Sequence, residues 1–315
     1  MTSVTKKIKL SGVGIHSGLP VNITIVPSDD VGIFFKRIDI ADSGVIPATF
    51  DNVGETKMRN TTIGNPGGVH IQTVEHLMAA LFVLGIDSAV IEIDGAETPI
   101  LDGSAYEFIQ KIQKYVGPKT NMKKIIVKKT IIARRNELAK QLPFFKRIKT
   151  MLYNWTLGRK GNGFVKLSPN KDGLKINATL VYPEKIIGKQ SFSCFFNGGK
   201  ESLQNFIDNI SKSRTFGKYS EWEWLKRHGM GRGANENNVI ALNDSGDGTL
   251  NKLLYPDEFV RHKIIDAVGD MFTSGGFIYG NLESVKGSHA LNNLVLRKLF
   301  SDKSNYEIIE KGEKE

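Results

Sequence analysis

Residues 259–270 constrain this chain more than any other stretch, because they set His262, Asp266 and Asp270 four residues apart inside an apolar pattern of helical period. On a helix those three side chains share one face. Val260, Ile264, Ala267, Val268 and Met271 form a second stripe that faces a core, so the ionisable row is held beside hydrophobic packing and not left in a loop. A histidine at i with a carboxylate at i+4 can share one divalent cation, and neutral imidazole with carboxylate suits zinc or ferrous iron better than calcium or magnesium. Such a site needs a third ligand.

Residues 72–82 supply a candidate, since they read as a helix closed by Gly85, with Leu77, Ala80, Leu81 and Leu84 as its buried stripe. Glu75 and His76 are sequence neighbours and point about 100° apart on a helix. This suggests His76 as a ligand and Glu75 as a general base acting on water. His289 sits near the start of another helix, with Ser288 or Gly287 available as its cap, and could serve as a general acid.

Six ordered motifs carry a resemblance over nearly the whole chain: SGVGIHSG at 11–18, TVEHLMAAL at 73–81, DGAETPILDGS at 94–104, SRTFG at 213–217, FVRHK at 259–263 and SHALNN at 288–293. They resemble the zinc-dependent UDP-3-O-acyl-N-acetylglucosamine deacetylases of Gram-negative bacteria, whose reaction commits sugar nucleotide to lipid A synthesis. The resemblance implies that His76, His262 and Asp266 bind Zn2+, with Fe2+ the other candidate, and leave a fourth position open for water. It implies Glu75 as base, the Thr215 hydroxyl as oxyanion partner and His289 as the acid that protonates the departing amine. Asp270 would hold His289 cationic and oriented. Lys263 would meet the diphosphate or the hexosamine, and Phe216 and His16 would lie against the substrate. Thr215 can also be read as a turn cap before Gly217, Phe216 as a core residue, and His16 as a turn histidine bonded to its own backbone. Asp94, Asp102 and the glycines beside them read as turn and cap chemistry.

The expected fold class is α+β. Periodicity places strands at 21–26, 32–37, 89–93, 123–133, 163–168, 174–182 and 276–283, and helices near 73–84, 104–115, 201–212, 219–228, 257–274 and 288–300. The resemblance implies two similar domains, 1–121 and 122–315, each a sheet with helices on one face, the helices sandwiched between the two sheets. His76 would come from the first domain and His262, Asp266 and His289 from the second. One cysteine, Cys194, fits a reducing compartment. No stretch approaches the ~20 apolar residues of a membrane span and the N-terminus lacks a signal-peptide core, so a cytoplasmic enzyme, monomeric, is expected.

Two rival readings have different signatures. A net charge of +10 and a sequence pI near 9.4 would suit a nucleic-acid-binding protein, but that reading leaves the histidine motifs unexplained. Two histidines and a carboxylate also describe iron oxygenases, for which the Glu75-His76 pair and the distal His289 fit less well.

The basicity is local. Residues 119–160 hold thirteen Lys or Arg and one acid, Glu137, which leaves the rest of the chain slightly acidic. Within them Phe144, Phe145, Ile148, Met151, Leu152 and Trp155 fall on one helical stripe, with Pro143 suited to the first helical position. Residues 136–161 read as an insertion into the family pattern. A basic helix with Phe and Trp on its apolar face suits the surface of an anionic inner membrane, each cation contributing about 1 kcal/mol. Its alternatives are a helix packed on the second domain or a disordered basic loop. Peripheral attachment predicts that the protein sediments with anionic liposomes and that a variant with 136–161 replaced by a short turn does not; equal sedimentation of the two would favour the alternatives.

Overall fold

The computed structural model describes residues 2–54, 60–64, 68–118, 123–140 and 163–309. The boundary expected at 121–122 and nearly all of the basic insertion, including its aromatic stripe, lie outside the described residues.

The first half forms β1 (Ile8–Val13), β2 (Pro20–Pro27), β3 (Gly32–Arg37), β4 (Ile46–Pro47), β5 (Ile63–Gly64), β6 (His70–Ile71), helix α1 (Glu75–Leu84), β7 (Ser88–Ile93) and helix α2 (Tyr106–Ile112). Its main sheet runs β1-β2-β7-β3-β4, with β3 parallel to β7 and the other pairs antiparallel. β2 shows why these residues make strands: Val21, Ile23 and Ile25 are buried while Asn22 lies on the exposed face. That is the period-two pattern of a sheet with one face on a core.

The second half forms β8 (Lys124–Val127), β9 (Ile131–Arg134), helix α3 (Arg135–Lys140), β10 (Phe164–Pro169), β11 (Leu174–Val181), β12 (Lys189–Phe196), helix α4 (Lys200–Asn209), β13 (Thr215–Lys218), helix α5 (Tyr219–Arg227), β14 (Val239–Leu242), helix α6 (Glu258–Phe272), β15 (Phe277–Val285), helix α7 (His289–Phe300) and β16 (Tyr306–Ile309). Its sheet runs β12-β11-β15-β10-β9, and β8 joins it by pairing with β15 and β16. The run 123–133, read from sequence as one strand, is two: the chain leaves β8 at Lys128 and re-enters the sheet as β9, beside a different strand. β13 and β14 form a separate parallel pair joined through α5. Among the described residues no helix is long and apolar enough to cross a membrane.

The fold is α+β, with helices between the two sheets. Helix α1 is buried on every side, its whole length from Glu75 to Leu84. Its C-terminus stops at Gly85, whose φ of 73° is left-handed and whose N–H caps the carbonyls of Leu81 and Phe82. One side of α1 packs on α2 and another lies along α6. Phe82 of α1 reaches into the second half, stacking on Phe277 at 5.0 Å and meeting Phe196 and Phe272 edge-on at 5.6 Å. Burying one such ring stabilises by about 1.5–3 kcal/mol, so this cluster is a strong tie between the halves.

The α1–α6 approach depends on Gly269. A Cβ built on Gly269 would lie 1.9 Å from the Glu75 carbonyl oxygen and 2.7 Å from its carbon. The obstacle is backbone, which cannot rotate away. Gly269→Ala is therefore expected to force the two helices apart and to destabilise by about 1–3 kcal/mol, read as a lowered urea midpoint. Ala at Gly217, where an added Cβ meets nothing within 4 Å, should leave that midpoint unchanged.

Candidate metal centre and active site

Three elements bring the ionisable groups together. Glu75 and His76 open α1, His262, Lys263, Asp266 and Asp270 line α6, and His289 opens α7. Ser288 caps α7, its hydroxyl accepting from the Leu291 N–H, which places His289 at the first helical position. All but Lys263 are buried.

The Nε2 atoms of His262 and His76 lie 3.4 and 3.6 Å from Asp266 Oδ1, and the three potential ligand atoms fall within 4.8 Å of one another. Ligands ~2.0–2.1 Å from one tetrahedral ion sit ~3.4 Å apart. The imidazoles meet edge to face, 5.0 Å between centroids, so the two nitrogen lone pairs converge without the rings clashing. His262 Nδ1 donates to the Ser213 carbonyl at 3.0 Å, which leaves its Nε2 as the lone-pair nitrogen. Burial pushes the His262 pKa down to about 3, so the ring is the neutral base that a metal ligand must be. Burial alone would raise the Asp266 carboxyl, but Lys263 foremost, with His289, holds it well below the usual carboxylate range. His76 Nδ1 is buried without a hydrogen-bond partner among the described residues. Two imidazoles and a carboxylate, buried and converging, fit a zinc or ferrous ion.

Glu75 and His289 flank this cluster. His289 Nε2 stands 3.9 Å from Glu75 Oε1 and 3.8 Å from Asp266 Oδ2. On its other edge Nδ1 donates to Asp270 Oδ2 at 2.8 Å. Burial disfavours the imidazolium, yet Asp270, Asp266 and Glu75 overcome that and raise the His289 pKa to about 9. Burial raises the Glu75 carboxyl, and the neighbouring His289 and His76 oppose the rise.

The other candidates are placed as follows. Lys263, at i, i+3 to Asp266, puts its ammonium 2.6 Å from Asp266 Oδ2, and that carboxylate raises its pKa further despite burial. Both residues line a small cleft with Thr179, Ser288, His289 and Asn292. Thr215 begins β13 and donates its N–H to the Gly103 carbonyl. Phe216 packs edge-on against Phe259 at 5.0 Å and has its ring 6.2 Å from that of His262. His16 sits in a turn whose N–H donates to Glu97 and whose carbonyl accepts from Arg232.

Several partners escaped the sequence. Thr61 meets both arms of the site: its N–H donates to Glu75 Oε2 at 2.9 Å and its hydroxyl to Asp270 Oδ1 at 2.5 Å. Nothing local marks it, because Asp270 is 209 residues away. Asn292 donates to Asp270 Oδ2 at 2.8 Å, and its i, i+3 spacing from His289 was a usable signal. Glu258, wholly buried at the start of α6, takes the Arg214 side chain and backbone N–H at 3.0 Å. That clamp fastens the segment carrying Ser213 and Thr215 to the helix carrying His262.

The family model for UDP-3-O-acyl N-acetylglycosamine deacetylase matches residues 1–301 of the 315, and the chain therefore belongs to that deacetylase family of lipid A biosynthesis.

Proposed function

We propose that this chain hydrolyses the acetamide of UDP-3-O-(3-hydroxyacyl)-N-acetylglucosamine to the free amine and acetate, using a divalent metal, zinc with ferrous iron as the alternative, held by His76, His262 and Asp266. The observation that carries this reading is the convergence of two imidazole nitrogens and one carboxylate oxygen between a buried carboxylate, Glu75, and a buried imidazolium, His289. When bound, such an ion acts as a Lewis acid on the acetamide carbonyl and makes water easier to deprotonate.

The protein's own groups then divide the proton work. Glu75, held through Oε2 by the Thr61 N–H, accepts the proton of the attacking water. Water adds to the carbonyl carbon, and the C–N bond breaks as His289 Nε2 donates its proton to the departing nitrogen. An amine leaves poorly unless protonated, and Asp270 on Nδ1 keeps that donor charged. The Thr215 hydroxyl is assigned to the developing oxyanion. Lys263 holds Asp266 Oδ2, so Oδ1 faces the histidines, and its ammonium at the cleft is assigned to the substrate's polar head. Phe216 and His16 are assigned to the walls of the substrate site.

Release of amine should disappear on metal stripping, return with zinc in air or under argon, and be nearly absent in His262→Ala. Persistence in fully stripped protein would sink the metal assignment. Glu75→Gln and His289→Ala should each lose about 10²–10⁴-fold in kcat.

The alkaline limb of the pH profile offers a second check. The acid works in its cationic form, so activity falls as pH rises through the His289 pKa of about 9. Asp270→Asn removes the carboxylate that does most to raise that pKa, so the limb of kcat/KM should move to lower pH. An unmoved limb would show that His289 is not the group titrating there.

A further inference from the structure

We propose that Glu97 is a positioning residue for the reaction: its buried carboxylate clamps Thr73 in a left-handed conformation, and that conformation aims Glu75 and His76. The inference rests on the reading that those two residues take part in the chemistry.

Thr73 has φ of 60°. A β-branched residue avoids that region, so the surroundings must impose it. Three contacts do so. Its hydroxyl donates to Glu97 Oε1 at 3.0 Å and accepts from Asn60 Nδ2 at 2.9 Å, and its carbonyl accepts from the Thr98 hydroxyl. The next residue, Val74, donates its N–H to the Thr61 carbonyl and begins the backbone of α1. Thr61 in turn holds Glu75 Oε2. Asn60 and Thr61 thus grip the strained residue and the carboxylate beyond it from one side, while Glu97 grips from the other. A rotation at Thr73 would swing the first turn of α1, where Glu75 and His76 are the opening residues.

Glu97 is built for this and is 3 % exposed. Besides Thr73 its oxygens take the His16 and Ser17 N–H groups at 3.0 Å and the Ser17 hydroxyl at 2.9 Å. Four donors around one carboxylate leave it no freedom. The turn opposite has been cut to fit: a Cβ on Gly14 would lie 2.3 Å from Glu97 Oε2. The same turn accepts backbone bonds from Arg232 and Gly233, in the loop between α5 and β14. Glu97 therefore fastens the start of α1 to a turn that is itself pinned to another segment.

The role differs from plain structural support because Glu97 sits at the very end of α1 that carries the reacting groups. The test compares Glu97→Gln, Thr73→Val, Thr73→Ser and Glu75→Gln in the zinc-loaded enzyme, measuring kcat, KM, the thermal midpoint and zinc affinity by chelator competition. Gln is isosteric but presents an NH2 where donors already converge, and Val removes the hydroxyl while keeping the branched shape. Both should lower kcat about 10- to 100-fold with KM changed by less than about twofold, and both should weaken zinc binding. Thr73→Ser, which keeps the hydroxyl, should recover kcat and zinc affinity relative to Thr73→Val. If Glu97→Gln keeps wild-type kcat and zinc affinity per folded molecule, even with a lowered midpoint, Glu97 is support only and the proposal is overturned. If Glu97→Gln does not fold, equal kcat in Thr73→Val and Thr73→Ser overturns it instead. Full activity in Glu75→Gln would mean that the underlying reading of Glu75 had failed, an outcome separable from the others.

Discussion

The contact on which the site depends is one between backbones. Glu75 and His76 belong to α1, His262 and Asp266 to α6, and the halves they come from form separate sheets. Histidine and aspartate side chains are short, so three of their atoms can meet within 4.8 Å only if the helices run nearly in van der Waals contact. Gly269 permits that: its α-carbon faces the Glu75 carbonyl so closely that no side chain fits between. Interlocking apolar side chains then keep the helices there, Phe82 being the clearest. The hydrophobic cluster supplies the affinity of one half for the other, and the glycine sets the distance at which they stop.

Close approach also concentrates charge. Asp266, Asp270, Glu75, His289 and Lys263 lie within a few contacts of each other, nearly all out of water. An unpaired buried ion would cost several kcal/mol, so the arrangement survives only as a network. Lys263 serves Asp266, and Thr61, Asn292 and His289 serve Asp270. This division has a chemical result. One histidine, His262, is forced neutral by burial, while another, His289, is held cationic by carboxylates, and the residue type is the same. Environment separates the two roles.

Helical spacing made much of this legible. The row His262, Asp266, Asp270 and the apolar stripe beside it are both local properties of one helix, and the structure shows both on α6. Ser288 as a cap and Gly85 as a stop were readable for the same reason, since each acts within one turn. Thr61, Glu97, Glu258 and Thr73 were not readable as parts of the site. Their significance arises from partners far away in sequence or, for Thr73, from a backbone angle that no side-chain pattern encodes. β12 was missed because its exposed face mixes Lys189, Ser191, Ser193 and Phe195, which blurs the alternation. The break between β8 and β9 was hidden because apolar runs flank Lys128-Lys129 on both sides.

In the proposed reaction each turnover would leave Glu75 with a proton it began without and His289 lacking the one it gave away. The two groups are Oε1 and Nε2, 3.9 Å apart, too far for a direct hydrogen bond. In the proposed reaction, transfer from Glu75 to His289 would restore both at once. Asp270 and Asp266 favour the proton on His289, whereas burial favours it on Glu75. Thr61 bonds both Glu75 and Asp270, and so keeps the donor and the anchor of the acceptor in register as the proton moves. In the proposed reaction the base and the acid act as a single unit that carries one proton from the attacking water toward the departing nitrogen.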